Sequence, residues 1–436
     1  MMTSSIQYDL IGVGIGPANL GLAALLEKAQ PLRAVFFDEN SEFQWHPGML
    51  IEGADLQVPF LADLVTLADP TSTYSFLNYL ASQDRLHQFF FFNRFDIPRR
   101  EYNNYARWAA DSLENCLFGK KVIDADYIKE EEPYYRVTVL DQETKTETIY
   151  TCRYLVVGTG TKPLIPESLT GYPPEDILHT SQYLYQEKFV LDAERILVVG
   201  SGQSAAEIFL EQLQMQRGGR PEIHWFTRSP GFFQLESGKL GQEIFSPDYI
   251  DYFHRLPLEK RLEELPSLTQ LRNGVEEATL HKIYELLYHR TVGGVEKGAV
   301  IQANTEVEDI AQLEDGSYRV TCRQHQEDTF FTVEVDKVIL GTGYKPEIPE
   351  WFSALTSEAL REKDYLKVNR DFSIAFPDDR KENLYSLTDL VHSHGAGATN
   401  LALAVHRNVT IINTAADKEI YKDPRNTVFQ QFSPPK

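Results

Sequence analysis

The sequence predicts an α/β chain with two doubly wound modules, the second inserted into the first, and a small, mainly helical insertion. Three observations predict it. YDLIGVGIGPANLGLAALLEKA (8–29) and RILVVGSGQSAAEIFLEQL (195–213) each run from a short apolar stretch through a glycine turn into helical periodicity, the pattern of strand, tight turn and helix. Two further apolar stretches, RYLVVGTGTKP (153–163) and DKVILGTGYKP (336–346), end in related glycine turns. Between 232 and 294 the pattern breaks into aromatic, proline-bearing and helical sequence such as ATLHKIYELLYHR. The expected organisation is therefore two Rossmann-like dinucleotide-binding domains, at 1–170 with 345–416 and at 171–231 with 295–344. A substrate-binding helical insertion at 232–294 and an aperiodic, loosely held tail at 417–436 complete it.

In GVGIGPANL, Gly12 is expected to make the tight turn and Gly14 to let the backbone approach a pyrophosphate, while Gly16 and Pro17 open a helix whose N-terminal amides face the phosphates. On this alignment Pro17 stands where the usual pattern has its third glycine. AVFFDEN then places Asp38 at the end of the next apolar run, where a carboxylate accepts from ribose hydroxyls. Together these point to an adenine dinucleotide. GSGQSAAE repeats the device with Gly200 and Gly202, and Gln203, Ser204 and Glu207 open its helix. Its next strand, EIHWFTR, ends in Arg228 with no acid, which suits the 2′-phosphate of NADPH. A hydrolase nucleophile elbow at Ser204 fails, because the glycine after the serine is missing.

Two dinucleotide sites in one chain mean that one cofactor delivers hydride to the other, and the usual acceptor is FAD. The three cysteines, Cys116, Cys152 and Cys322, form no CxxC pair, which removes the disulfide reductases and argues against disulfides and zinc. His392 and His394 lack a third ligand, so no metal is expected. A reductase, an oxidase or a monooxygenase remain open.

Composition narrows the partners. With 42 basic and 64 acidic residues the formal net charge is −22, which repels nucleic acid and anionic lipid. At 436 residues the chain is long enough for two or three cores. No segment approaches the roughly 18 to 20 apolar residues of a membrane span, and no basic stretch followed by an apolar run opens the sequence, so a cytoplasmic protein is expected.

Several ordered motifs then resemble one family across nearly the whole chain: GVGIGPANL, FQWHPGML, LQVPFLADLVTLADPTSTYSFLNYL, RREYNNYARWAA, GSGQSAAE, LGTGYKP and HSHGAGATNLALA. The chain resembles the flavin-dependent N-hydroxylating monooxygenases of siderophore biosynthesis, which act on lysine, ornithine or diamines. The resemblance implies FAD in the first module, NADPH in the second, the amine near the insertion, and O2 as co-substrate. By that resemblance NADPH is expected to reduce FAD, a C4a-hydroperoxyflavin to form, the oxidised nicotinamide to stay bound, and a neutral amine nitrogen to attack the distal oxygen. It also implies a homo-oligomer, often a tetramer.

Carried over by motif, Trp45, His46, Pro47, Met49 and Leu50 wall the flavin cavity, and Gln57 lies beside the isoalloxazine. Thr342, Gly343 and Tyr344 belong to the cofactor site, and His394, Gly395 and the stretch to Leu401 close over the flavin. Asn273 corresponds to an asparagine that contacts nicotinamide ribose and substrate, which makes Gln57 and Asn273 the catalytic candidates.

The family's amino-acid hydroxylases carry Phe-Leu-Lys-Asp, with the lysine on the substrate α-carboxylate. Here the residues are Phe60, Leu61, Ala62 and Asp63, in a stretch expected to be helical. The insertion reads Gln242, Glu243 where those enzymes have Asn-Glu. A buried carboxylate stripped of its cation costs on the order of 3 to 5 kcal/mol. The substrate expected from Ala62 is a decarboxylated amine, putrescine or cadaverine. Histamine, or lysine and ornithine held by Lys239, are the alternatives, and Glu236 is the candidate carboxylate for a distal ammonium. Another flavin monooxygenase, an NADPH oxidase, or a redox-sensing protein that holds the nucleotides without turnover stands further off.

Overall fold

The computed structural model describes residues 7–29, 32–294, 298–378 and 380–434. Two parallel sheets organise the chain. In the first, strands follow the order Cys116–Leu117, Ala34–Phe37, Tyr8–Val13, Glu147–Val157, and Leu384–Ser386 also pairs with the last of these. Leu10, Ile11, Val35, Phe36 and Leu155 are buried, as parallel strands covered on both faces must be. Glu147–Val157 is long enough to serve twice. Its first half pairs antiparallel with Tyr134–Asp141, which pairs in turn with Lys120–Ile128.

The second sheet repeats the plan. Ile177–His179, Lys337–Leu340, Arg195–Val199, Glu222–Phe226 and Ala299–Gln302 run parallel in that order, and an antiparallel trio follows at Thr305–Gln312, Tyr318–Gln324 and Thr329–Val335. The chain passes between the modules along two antiparallel segments, Thr161–Pro163 and Tyr344–Pro346, with Tyr344 opposite Pro163. The fold is the α/β, doubly wound pair that the glycine turns predict.

The two glycine turns are superposable in their contacts, and this corrects the assignment of glycines in the first. Gly14 (φ +81°) and Gly200 (φ +117°) each hold a left-handed conformation. Each also presses its Cα on the carbonyl of the GTG turn of its own sheet: an added Cβ would meet the Gly158 oxygen at 2.5 Å and the Gly341 oxygen at 2.3 Å. Gly14 is therefore the turn glycine and Gly16, like Gly202, the helix N-cap. Gly12 lies inside the strand, glycine because the Phe36 ring occupies the place of a side chain, 2.1 Å from an ideal Cβ. Counted from Gly14, the third position of the pattern is Asn19, not Pro17.

The insertion contains the helices Lys239–Gln242, Pro247–His254, Leu258–Glu264 and Glu277–Thr291 and the 3₁₀ segment Leu265–Leu271. Its last helix packs on Gln203–Met215 of the second module, joining that core through Ile283. The tail, expected to be loose, is tied at both ends. Tyr421 donates its hydroxyl to the Leu25 carbonyl (2.7 Å), and Phe432 stacks edge-on against Tyr249 of the insertion (4.9 Å between centroids). It lacks periodicity because its bonds run to other elements rather than along itself. No helix among the described residues is long and apolar enough to cross a membrane.

Candidate active site

Each glycine turn delivers a helix whose first amides have no side-chain cap, with Gly16 and Gly202 at the N-cap positions and nothing within 4 Å of an ideal Cβ on either. Open space in front of uncapped amides is the geometry that accepts a phosphate. Asn19, which the sequence reading missed, fixes the first turn by donating to the carbonyls of Val13 (3.1 Å) and Gly14 (2.7 Å). Asp38 supports the same turn: one oxygen accepts from the Ile15 amide (2.7 Å) and the other from Asn40 (2.9 Å). The small crevice beside this turn is lined by Pro17, Asp63, Leu64, Tyr102 and Leu401, so Leu401 does come to the first nucleotide turn.

FQWHPGML forms the seam between the modules. Pro47–Met49 is a single 3₁₀ turn entered from His46 in the left-handed region (φ +50°), and an added Cβ on Gly48 would strike the Ser181 carbonyl of the second module at 1.9 Å. Trp45 meets Tyr102 edge-on (5.1 Å), and His46 and His179 both approach Tyr344 edge-on (5.8 and 5.0 Å). His46 is solvent-exposed on one side, yet the protein crowded around it and then the Arg99 guanidinium lower its pKa to about 4, so it is neutral at pH 7. Burial likewise lowers His179 and raises the Tyr344 phenol.

Three residues expected at the cofactor have other occupations. Met49 is 2% exposed and packs into the second module's core with Leu178, Tyr183 and Val198. His394 is fully buried, stacked on Phe372 (4.1 Å) with Nδ1 on the Ser393 hydroxyl (2.8 Å), and burial holds its pKa well below the ordinary value. Glu207 faces Arg99 of the first module, which donates to both of its oxygens (2.9 and 2.7 Å). Gln203 supports that pair by donating to Glu207 (3.0 Å) and to the Thr279 hydroxyl (3.1 Å).

The others fall as follows. Thr342 donates to the Leu164 carbonyl (2.6 Å), and the carbonyl of Gly343 (φ +85°) accepts from His179 Nε2 (3.0 Å). Gly395 (φ +78°) packs against Phe253 of the insertion. Ser204 lies in the first turn of the second glycine-turn helix. Arg228 extends into solvent from the end of its strand, 3.7 Å from Glu306. Among the described residues no three His, Cys, Asp or Glu side chains stand together as a metal site.

The substrate candidates divide between two places. Gln57 is exposed on the strand Asp55–Pro59, which pairs with Asp96–Pro98. Ala62 follows in a series of turns rather than the helix expected, because the buried Asp63 carboxylate gathers the amides of Val65 (3.0 Å), Thr66 (2.6 Å) and Phe76 (2.8 Å). Ala62 itself is 4% exposed. In the insertion, Glu236, Lys239, Gln242 and Asn273 share one loop cluster. The Glu236 amide bonds the Gln270 carbonyl (3.0 Å), Gln242 donates its side-chain amide to the Glu236 carbonyl, and Gly274, next to Asn273, lies against Leu235 with 2.7 Å from an ideal Cβ to its nitrogen. Ile244 and Phe245 then cover Gly397 of the GAGATN turn.

The L-lysine 6-monooxygenase/L-ornithine 5-monooxygenase family pattern matches residues 6–370. A putrescine N-hydroxylase of Shewanella oneidensis is 37% identical over 98% of this chain and 84% of its own length. The cadaverine monooxygenase DfoA of Erwinia amylovora, solved with FAD, is similar with a TM-score of 0.92 and 35% identity over 99% of this chain and all of that one. The ornithine N-hydroxylase KtzI of Kutzneria, solved with reduced FAD, NADP+ and L-ornithine, is similar with a TM-score of 0.87 and 25% identity over 94% of this chain and 99% of that one.

Proposed function

The chain belongs to the L-lysine 6-monooxygenase/L-ornithine 5-monooxygenase family, and from that premise we propose that it is an FAD- and NADPH-dependent N-hydroxylase of a small primary diamine, putrescine or cadaverine. The product hydroxylamine feeds hydroxamate siderophore assembly. The reading takes 1–170 with 345–416 as the FAD domain, 171–231 with 295–344 as the NADPH domain and 232–294 as the amine-binding insertion. It also takes the active protein as a homo-oligomer. The uncapped amides behind Gly16 and Gly202, each facing open space, suit the two pyrophosphates, and Arg228 at its strand end suits a 2′-phosphate. Bound there, NADPH supplies hydride and FAD activates O2.

What the chain's own residues do follows from charge. An ammonium has no lone pair, so the reacting amine must be held neutral, which a site closed to water favours. Gln57 offers an uncharged amide on the strand leading into Ala62. Glu236 uses one carboxylate oxygen on the Gly238 amide (2.6 Å) and keeps the other for the distal ammonium. Asn273, next to the Gly274 that lies against Leu235, supplies a second neutral amide.

The observation that carries the substrate class is Ala62: a buried methyl stands where the amino-acid hydroxylases place a lysine for the α-carboxylate. Lys239 in the insertion favours the second reading, lysine or ornithine. A coupled assay of NADPH oxidation and hydroxylamine over putrescine, cadaverine, histamine, lysine and ornithine separates them. Diamines should give stoichiometric hydroxylamine and the amino acids little; better turnover of ornithine or lysine than of every decarboxylated amine overturns the reading.

A further inference from the structure

We propose that the segment 426–430 is a strap that sets the position of the short Lys239–Gln242 helix, with Glu243 and Asp248 acting as positioning residues for amine binding. The inference rests on the reading above that this helix borders the amine. Four residues of helix, none of them buried, cannot hold one position by their own hydrogen bonds. Something must hold them from outside.

The strap does so through two carboxylates of the insertion. Glu243, the residue immediately after the helix, accepts the Phe429 amide on one oxygen (3.0 Å) and the Gln430 amide on the other (2.9 Å). Gln430 returns its side-chain amide to the Leu240 carbonyl inside the helix. Asp248 accepts the Asn426 amide on one oxygen (2.9 Å), and the Thr427 amide (2.8 Å) and hydroxyl (2.6 Å) on the other. Beyond the strap, Phe432 lies against Tyr249 and Tyr252. Before it, Asn413 of the last long helix receives the amides of Ile420 (2.8 Å) and Tyr421 (3.1 Å). The tail thus runs from the first module, at Ile420 and Tyr421, through the strap to the insertion at the helix that carries Lys239 and Gln242.

The charges agree with this use. The backbone amides of 429 and 430 hold the Glu243 carboxyl below the ordinary range. Asp248 is also lowered: its partial burial opposes the shift, and the Thr427 hydroxyl and the amides around it prevail. Glu243 therefore serves the main chain of the strap, while its neighbour Gln242 ties the helix to the Glu236 carbonyl.

The test uses the full chain with Glu243→Gln on the insertion and Gln430→Pro on the strap, which removes the amide donor and the side-chain bond at an exposed position. Each should raise KM for the amine on the order of threefold, as expected for exposed bonds to a charged acceptor, with kcat, KM for NADPH and flavin content unchanged. Because both weaken the same junction between Glu243 and the strap, the double variant should lose less than the two single losses combined. An unchanged amine KM in either variant, or additive losses, overturns the proposal. So does loss of flavin from Gln430→Pro, since the strap is then a folding element. If the wild-type enzyme hydroxylates no diamine, the substrate reading fails alone, and the KM comparison is made with whichever amine the panel finds turned over.

Discussion

Arg99 and Glu207 join the two nucleotide modules in a buried bidentate ion pair: Arg99 Nη1 and Nη2 donate to the two Glu207 oxygens at 2.9 and 2.7 Å, with the side chains 12% and 5% exposed. Nη1 also donates to the Met49 carbonyl (2.8 Å), which ties the seam segment into the same joint. Removing one member leaves a desolvated charge. Glu207→Gln should cost about 3 to 5 kcal/mol, read as a fall in unfolding temperature, and should slow flavin reduction by NADPH. Arg99→Met with Glu207→Leu should recover most of the stability, because well-packed apolar side chains replace a buried pair at little cost, but not the reduction rate. Full recovery of both would mean that the pair has no part in aligning the modules.

Arg228 stands at the end of the second module's strand, 77% exposed and only loosely paired with Glu306 at 3.7 Å. A guanidinium so free suits a ligand phosphate. Arg228→Ala should raise KM for NADPH on the order of tenfold, the worth of one charge-assisted pair, and leave KM for NADH nearly unchanged. Steady-state kinetics with the two nucleotides measure it, and an unaltered preference for NADPH assigns the 2′-phosphate to another residue.

Five histidines, His46, His179, His224, His394 and His406, are lowered, burial being the first cause of each. They stay neutral in the folded protein and take protons in the unfolded chain below about 6.5. The unfolded state then binds more protons, so stability falls as pH drops from about 6.5 toward the folded values, about 4 for His46. Unfolding at pH 5.5 should take up at least about two protons. Calorimetry in buffers of different ionisation enthalpy reports that number, and zero uptake contradicts the assignment of neutral histidines.

The glycine turns, the two sheets and the family were legible because strand, turn and helix are local patterns that repeat at 8–29 and 195–213. What escaped depends on partners distant in sequence. Three glycines at alternate positions gave no way to choose the turn residue; the Phe36 ring against Gly12 and the Gly158 carbonyl against Gly14 decide it. Asn19 had a signal, standing at the offset of the third glycine counted from Gly14. Met49 and His394 are assigned to the cofactor by motif alone, and their packing against the second module's core and against Phe372 rests on partners distant in sequence. The tail gave no periodicity because its amides bond to Glu243 and Asp248.

Ala62 offers the sharpest test of substrate class. Its amide closes a turn on the Pro59 carbonyl (2.8 Å), and the Asp63 carboxylate beside it is consumed by the amides of its own loop and of Phe76 and by the Thr66 hydroxyl (2.6 Å). No neighbouring acid in that loop is left to neutralise a lysine placed at 62. Ala62→Lys should therefore set a cation against the diamine and lower kcat/KM for putrescine and cadaverine on the order of tenfold, while raising the small rate with ornithine, whose carboxylate the new ammonium can pair. Ala62→Met, of similar length without the charge, separates bulk from electrostatics: it should change diamines and ornithine alike. Hydroxylamine yield per NADPH across the three proteins is the measurement. If Ala62→Lys matches or improves diamine turnover, the methyl at 62 carries no information about the substrate.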